Sequence, residues 1–168
     1  MSMIGMLLRV PEQALKAFIG NSALLFEYLD QEDNQDSDSA MSLEKSWDAV
    51  NFLVTGYRLD EMDNAEGILS TFFFSGQSID EDQDMGYGPA QYLEPAQVKA
   101  VSSELSKIDN GDFRLRYDAN KLNSNGIYPE GWDDSREIID SVVEAFDQLK
   151  SFYSKAASEN QAIITYIS

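Results

Sequence analysis

An almost unbroken apolar run lies near each end of the chain. Met3, Ile4, Met6, Leu7, Leu8 and Val10 stand within Ser2 to Val10, and Ala162 to Ile167 reads Ala-Ile-Ile-Thr-Tyr-Ile. Runs this short and this apolar suit strands buried on both faces. A strand of that kind needs hydrogen-bonding neighbours and cover above and below. Most of the sequence between the two runs has helical periodicity. The economical solution is an α/β fold, a helix-rich single domain over residues 1–168 with a small sheet covered by helices. The two terminal strands are expected to pair or to lie near one another. A length of 168 residues is enough for one such core.

The intervening segments read as follows. Pro11 opens a helix where its missing N–H costs nothing, Ala14, Leu15, Phe18 and Ile19 form the apolar face, and Gly20 ends it. Ser22 to Leu29 is a second short helix. Asp30 to Ser39 is entirely polar and reads as an exposed loop. Ser42 is placed as the N-cap of the next helix, with Leu43, Trp47, Val50 and Val54 on one face and Gly56 closing it. Ile68 to Phe74 suits a buried strand or a short buried helix, and Gln77 to Pro89 an acidic loop. Pro95 starts a helix carrying Val98, Val101, Leu105 and Ile108, which Asp109-Asn110-Gly111 breaks. Phe113 to Leu122 is a short helix and Asn123 to Trp132 a turn-rich loop. Asp134 to Ala157 is the longest helix, with Val142, Phe146, Leu149 and Tyr153 among the residues on its apolar face.

Charge narrows the function classes. Thirty acids stand against twelve bases, a formal net charge of −18. Such a field repels nucleic acid and anionic lipid, so neither nucleic acid nor a membrane is expected as a partner. The first 84 residues carry four bases and seventeen acids. Ala17 to Glu44 and Leu59 to Val98 contain no base at all. The absence of cysteine excludes disulfides and thiol chemistry, and the absence of histidine excludes the usual Ser-His-Asp triad and the commonest metal ligand. There is no glycine-rich phosphate loop. No apolar run approaches the roughly 18 residues that span a bilayer, and Arg9 lies at the wrong end of the first run for a signal peptide. A soluble, cytoplasmic protein is expected. Its oligomeric state is left open.

Asp80-Glu81-Asp82-Gln83-Asp84 has the alternating carboxylates of a calcium loop. That pattern requires glycine at the sixth position and glutamate at the twelfth, where Met85 and Gln91 stand. Asp80, Asp82 and Asp84 are therefore read as a solvated loop, with no metal and no cofactor expected. The aromatics are more informative. Tyr87 and Tyr92, and again Tyr128 and Trp132, lie beside glycine and proline, where rigid rings either line a pocket or interface or anchor a loop to the core. Trp47 sits on a helix face and reads as core. Asn51, one turn further, is a buried strut or a pocket wall. If these six residues form a site, they should converge on one concave pocket. No catalytic residue stands out among so many carboxylates.

Several segments taken in order resemble one family. They are Met3-Ile4-Gly5, then Leu43-Glu44-Lys45-Ser46-Trp47-Asp48 with Asn51-Phe52-Leu53-Val54-Thr55-Gly56, then Tyr87-Gly88-Pro89-Ala90-Gln91-Tyr92-Leu93 with Pro95 and Val98, then Ile127-Tyr128-Pro129 with Trp132, and finally Phe146 to Tyr153 with Ala156-Ala157. This order is similar to the YfbM-like family of small bacterial proteins, a domain of unknown function. The resemblance implies an α/β three-layer sandwich, a small sheet between helices, and no established activity, cofactor or substrate. It also implies that a histidine often found in the family stands where this chain has Asn51. A histidine-dependent chemistry would then be missing, whereas a hydrogen-bonding strut would survive the change.

Two functional readings remain. The first is a non-catalytic protein-binding module whose acidic surface engages a basic protein partner, for example an immunity-like neutraliser of a basic toxin. The alternative is a small-molecule-binding protein or enzyme with a pocket lined by the loop aromatics.

Overall fold

The computed structural model describes residues 2–31 and 38–168. Strand β1 (Gly5–Pro11) leads into helices α1 (Glu12–Gly20) and α2 (Ala23–Asp30). Strand β2 (Ala40–Glu44), helix α3 (Trp47–Thr55) and two short 3-10 turns follow. Strand β3 (Gln91–Leu93) precedes α4 (Pro95–Leu105), α5 (Asn110–Arg116), α6 (Ala119–Ser124) and the long α7 (Arg136–Ser158). Strand β4 (Gln161–Ile167) closes the described order. The sheet has the order β2-β1-β4-β3, with every neighbour antiparallel. The two terminal strands pair along their whole length, from Gly5 opposite Ile167 to Pro11 opposite Gln161. They occupy the centre of the sheet, as their unbroken apolar character requires.

Alternation along β1 and β4 divides the core into two layers. Leu7, Ile163 and Ile167, with Met41 and Leu43 of β2 and Leu93 of β3, join Trp47, Val50, Val98, Val101, Phe113, Phe146 and Tyr153. Leu8, Val10, Ala162 and Ile164 face Leu15 and Phe18 of α1, Leu25 and Leu29 of α2, and Ile79 and Met85. The architecture is the expected three-layer sandwich, with α1 and α2 on one face and α3 to α7 on the other. Within the larger layer, Phe113 and Phe146 stack 4.1 Å apart and 7° from parallel, joining α5 to α7.

Local signals account for several helix ends. Pro95 occupies the first turn of α4, and Glu94 and Gln97 form a capping box there. Asp109 and Asp118 accept from backbone N–H groups at the starts of α5 and α6, and Ser135 does so for α7. Asp109 is thus a helix start and not the helix stop, since α4 already ends at Leu105, before Ile108. Phe113 to Leu122 is two short helices, not one. Gly56 ends α3 in the left-handed region, at φ 79°.

Other readings are corrected. Ser42 is not a helix cap. It lies in β2, its hydroxyl accepts from the Glu44 N–H, and the chain turns at Glu44, φ 50°, before α3 begins at Trp47. Leu43 still reaches the same core because its strand faces it. Ile68 to Phe74 is neither strand nor α-helix. It contains a single 3-10 turn, Ile68–Thr71, and the buried carbonyls of the next two residues are met by side chains. The buried Tyr153 hydroxyl donates to the Phe72 carbonyl, and the Thr165 hydroxyl donates to that of Phe73 at 2.6 Å. The polar loop Asp30 to Ser39 lies partly outside the described residues. Its end is tied to β1, since the Arg9 N–H donates to the Ser39 carbonyl and Arg9 Nε to that of Asp38.

The pairing of β1 with β2 shifts register between Gly5 and Met6. At that bulge a β-carbon on Gly5 would lie 2.5 Å from Trp47 Cβ and 3.2 Å from Phe73 Cζ. Gly5→Ala should therefore destabilise the protein by about 1–3 kcal/mol, or about 2–4 °C of melting temperature for each kcal/mol. A thermal melt checks this. An unchanged melting temperature would mean that Trp47 does not hold the position seen here.

A hollow between helix α3 and the 125–130 loop

Helix α3 is buried on almost every side. Trp47, Asp48, Ala49, Val50, Asn51, Leu53 and Val54 are all buried. The fully buried Trp47 ring donates from Nε1 to the Met3 carbonyl at 3.1 Å. The Met3 N–H in turn donates to the Tyr128 hydroxyl at 3.0 Å. The Tyr128 ring stacks on Trp47 at 5.9 Å, and the Tyr128 N–H donates to Asp48 Oδ2 at 2.9 Å. Four contacts thus fasten the start of the chain and the 125–130 loop to the first turn of α3. Between them lies a hollow of about 510 Å³. Its wall includes Met3, Trp47, Asp48, Arg58, Asp60, Ile127, Tyr128 and Glu130.

Asp48 is the unusual member. It is only 5% exposed, and its Oδ1 is buried without a hydrogen-bond partner among the described residues. Burial pushes its carboxyl above the ordinary aspartate value, and the Tyr128 N–H pulls part of the way back. One turn along, fully buried Asn51 donates from Nδ2 to the Met62 sulfur at 3.4 Å, while its Oδ1 also lacks a partner. Arg58, across the hollow, is held by Asp60 through Nε at 3.1 Å and by Glu61 at 3.6 Å. The arrangement offers hydrogen-bond acceptors and carboxylates around a half-open space, with the guanidinium already engaged.

Of the six residues singled out from the sequence, Trp47 and Tyr128 meet here, and Asn51 lies behind them. The other three are elsewhere, so the six do not converge on one pocket. Trp132 is half-buried, donates from Nε1 to the Ile127 carbonyl at 2.9 Å and sets its edge against Tyr117. Tyr92 packs into the opposite layer, beneath α1 and α2. Tyr87 is 41% exposed, beside a small hollow at the end of β4. Loop aromatics flanked by glycine and proline look alike in sequence, but here each follows the face its own backbone presents. Asp48 and Arg58 were not singled out. The available signal for Asp48 was an acid set between Trp47 and Ala49-Val50, on a helix too apolar to leave it wet.

The acidic loop also departs from a fully solvated one. Gln83 and Met85 are buried, and Gln83 Nε2 donates to the Ser22 carbonyl at 2.9 Å. Asp80 accepts from the Ser22 hydroxyl at 2.6 Å and from the Asp82 N–H, and Asp84 accepts from the N–H groups of Gly86 and Gly88. These bonds hold both carboxyls below the ordinary aspartate value. Asp80 and Asp84 shape their own loop, while Asp82 stays exposed.

An antiparallel sheet with the chain ends at its centre, helices on both faces and a lateral hollow at α3 defines a three-layer α/β protein. The family model named Domain of unknown function (DUF1877) matches residues 1–166, and the chain belongs to this YfbM-like family. Among solved structures, the fold is similar to that of YfbM from Escherichia coli, described as a protein of unknown function. The TM-score is 0.72 at 19% identity, over 98% of this chain and 99% of that one. No curated protein matches the chain. No helix among the described residues is long and apolar enough to cross a membrane.

The raised Asp48 carboxyl has a defined pH signature. The folded protein holds that proton more tightly than the unfolded chain does. The Asp48 contribution to stability therefore falls as pH rises from the ordinary value of 3.8 through the raised folded value. Asp48→Asn keeps an acceptor for the Tyr128 N–H and removes the buried charge. It should melt higher than the parent at neutral pH by a few degrees, on a burial cost of about 1–3 kcal/mol. The two should converge below pH 3.8. Melting curves across that range test this, and a variant less stable at neutral pH would refute it.

Proposed function

We propose that the chain is a non-catalytic protein-binding module whose acidic surface engages a basic protein partner, as an immunity-like neutraliser of a basic protein does. The observation that carries this reading is the charge left over after internal pairing. Six ion pairs engage six carboxylates, against twenty-seven acids among the described residues. Asp63, Glu66, Glu81 and Asp82 are exposed members of the base-free stretch and take part in none of these pairs. A surface of this sign speeds encounter with a cationic partner, makes the complex sensitive to salt, and disfavours nucleic acid. The small-molecule reading draws on the hollow at Asp48, not on the scattered loop aromatics.

The test is capture from an extract of the native host on the immobilised full chain, at low and high ionic strength, with the retained proteins identified. A basic protein should be retained at low salt and released at high salt. A variant with Asp63→Asn, Glu66→Gln, Glu81→Gln and Asp82→Asn should associate with that protein about tenfold more slowly at low salt. Retention of no basic protein, or an association rate that the fourfold variant leaves unchanged, would overturn the reading.

A further inference from the structure

Four buried side-chain oxygens among the described residues have no hydrogen-bond partner: those of Asp48, Asn51, Gln83 and Asn110. Gln83 and Asn110 are neutral, and each uses its amide nitrogen on a neighbouring oxygen. Asp48 differs because the orphan oxygen belongs to a carboxylate. The structural task of Asp48 is to accept the Tyr128 N–H, and a neutral asparagine performs that task equally well. Its charge has no internal use, and burying an unpaired charge is among the costlier things a core can do. That charge lies at the wall of a hollow which also carries Asp60 and Glu130, against the single cation Arg58. Arg58 is turned toward Asp60 and Glu61. An anion in the hollow would meet three carboxylates and an occupied guanidinium. A cation would meet an unsatisfied acceptor.

We propose that the hollow between α3 and the 125–130 loop is a binding site for an alkylammonium or guanidinium group, which donates to the Asp48 carboxylate and is flanked by Asp60 and Glu130. Charge-assisted bonds of this kind are about twice as strong as neutral ones. The Tyr128 ring, half-buried at the wall, offers the alkyl stem an apolar surface. The site deepens the reading of an acidic binding module, and rests on it for one source of the cation, a lysine or arginine side chain of the partner. A free amine is the other source.

The experiment is a titration of the full chain followed by NMR at the Tyr128 amide, which touches Asp48 directly. The probes are n-butylammonium, n-butylguanidinium and, as the neutral control, n-butanol. The two cations should shift the resonance saturably and n-butanol should not. Asp48→Asn should keep the fold, seen in the remaining spectrum, and weaken cation binding at least about tenfold. Glu130→Gln, on an exposed loop residue, should weaken it less. A blocked tripeptide with one central arginine distinguishes the sources. Tighter binding than n-butylguanidinium assigns the site to a partner side chain, and equal or weaker binding assigns it to a free amine. No saturable shift, an equal shift with n-butanol, or undiminished binding in Asp48→Asn would overturn the site. In the last case cations follow the general acidic field, so the binding-module reading would stand while this inference fell. Loss of the salt-dependent partner with the Asp48-dependent shift intact would do the reverse.

Discussion

The antiparallel pairing of β1 with β4 is the constraint on which the rest of the structure depends. It joins residues near the two ends of the chain across seven positions, from Gly5 with Ile167 to Pro11 with Gln161. Each strand is buried on both faces, so neither can be stable until helices from both layers are in place. The ladder also closes a very long loop, a large entropic cost that local contacts cannot offset by themselves. The helices on the two faces have different origins. One layer is made by α1 and α2, which follow β1 directly, with the loop at Ile79 and Met85. The other gathers α3 to α7. The edge strands β2 and β3 are only five and three residues long, which limits the open hydrogen-bonding edge.

Trp47 connects that ladder to the hollow. The missing side chain at Gly5 lets the indole lie against the bulge in β1. Its N–H then satisfies the Met3 carbonyl, and the Met3 N–H reaches Tyr128. The same first turn of α3 presents Asp48 to the backbone of Tyr128. The hollow is therefore tied to the central ladder through Trp47 and the Met3 backbone. Residues far apart in sequence, at the amino end, in α3 and at 125–130, are held to one another by bonds of ordinary length.

Much of this was legible in the sequence, and the misses have physical causes. The terminal strands were readable because burial on both faces leaves them almost wholly apolar, with Arg9, Gln161 and Thr165 as the polar exceptions. Helix α7 was readable because its apolar residues recur over more than six turns. Strand β2 was not. Ala40 to Glu44 has only Met41 and Leu43 facing inward, and Ser42 between them is as good a cap as a strand residue. Strand β3 is three residues long, too short for alternation to register. The carbonyls of Phe72 and Phe73 are met by Tyr153 and Thr165, partners more than eighty residues away that no local pattern announces. The candidate site was legible only in part. Trp47, Asn51 and Tyr128 were among the six residues named, and Trp47 and Tyr128 do line the hollow. Tyr87, Tyr92 and Trp132 carried the same local signature and went to other surfaces. Asp48 was hidden by its own chemistry, since one acid among thirty looks like part of the solvated surface until its burial is seen.

The two deeply buried charges show how the net charge and the hollow belong to one argument. Arg9, 6% exposed, donates to Glu159 at 2.8 Å, to Gln161 at 2.9 Å and to the Asp38 carbonyl at 3.1 Å. It is a cation in a strongly negative protein, and both the local partners and the wider field favour it. Asp48 has a single N–H on one oxygen, and burial works against its charge. A positive group brought to the hollow would offset both the missing partner and the burial of the charge. A negative group relieves neither. On the proposed reading, the excess of acid and the unpaired buried carboxylate favour the same sign of ligand.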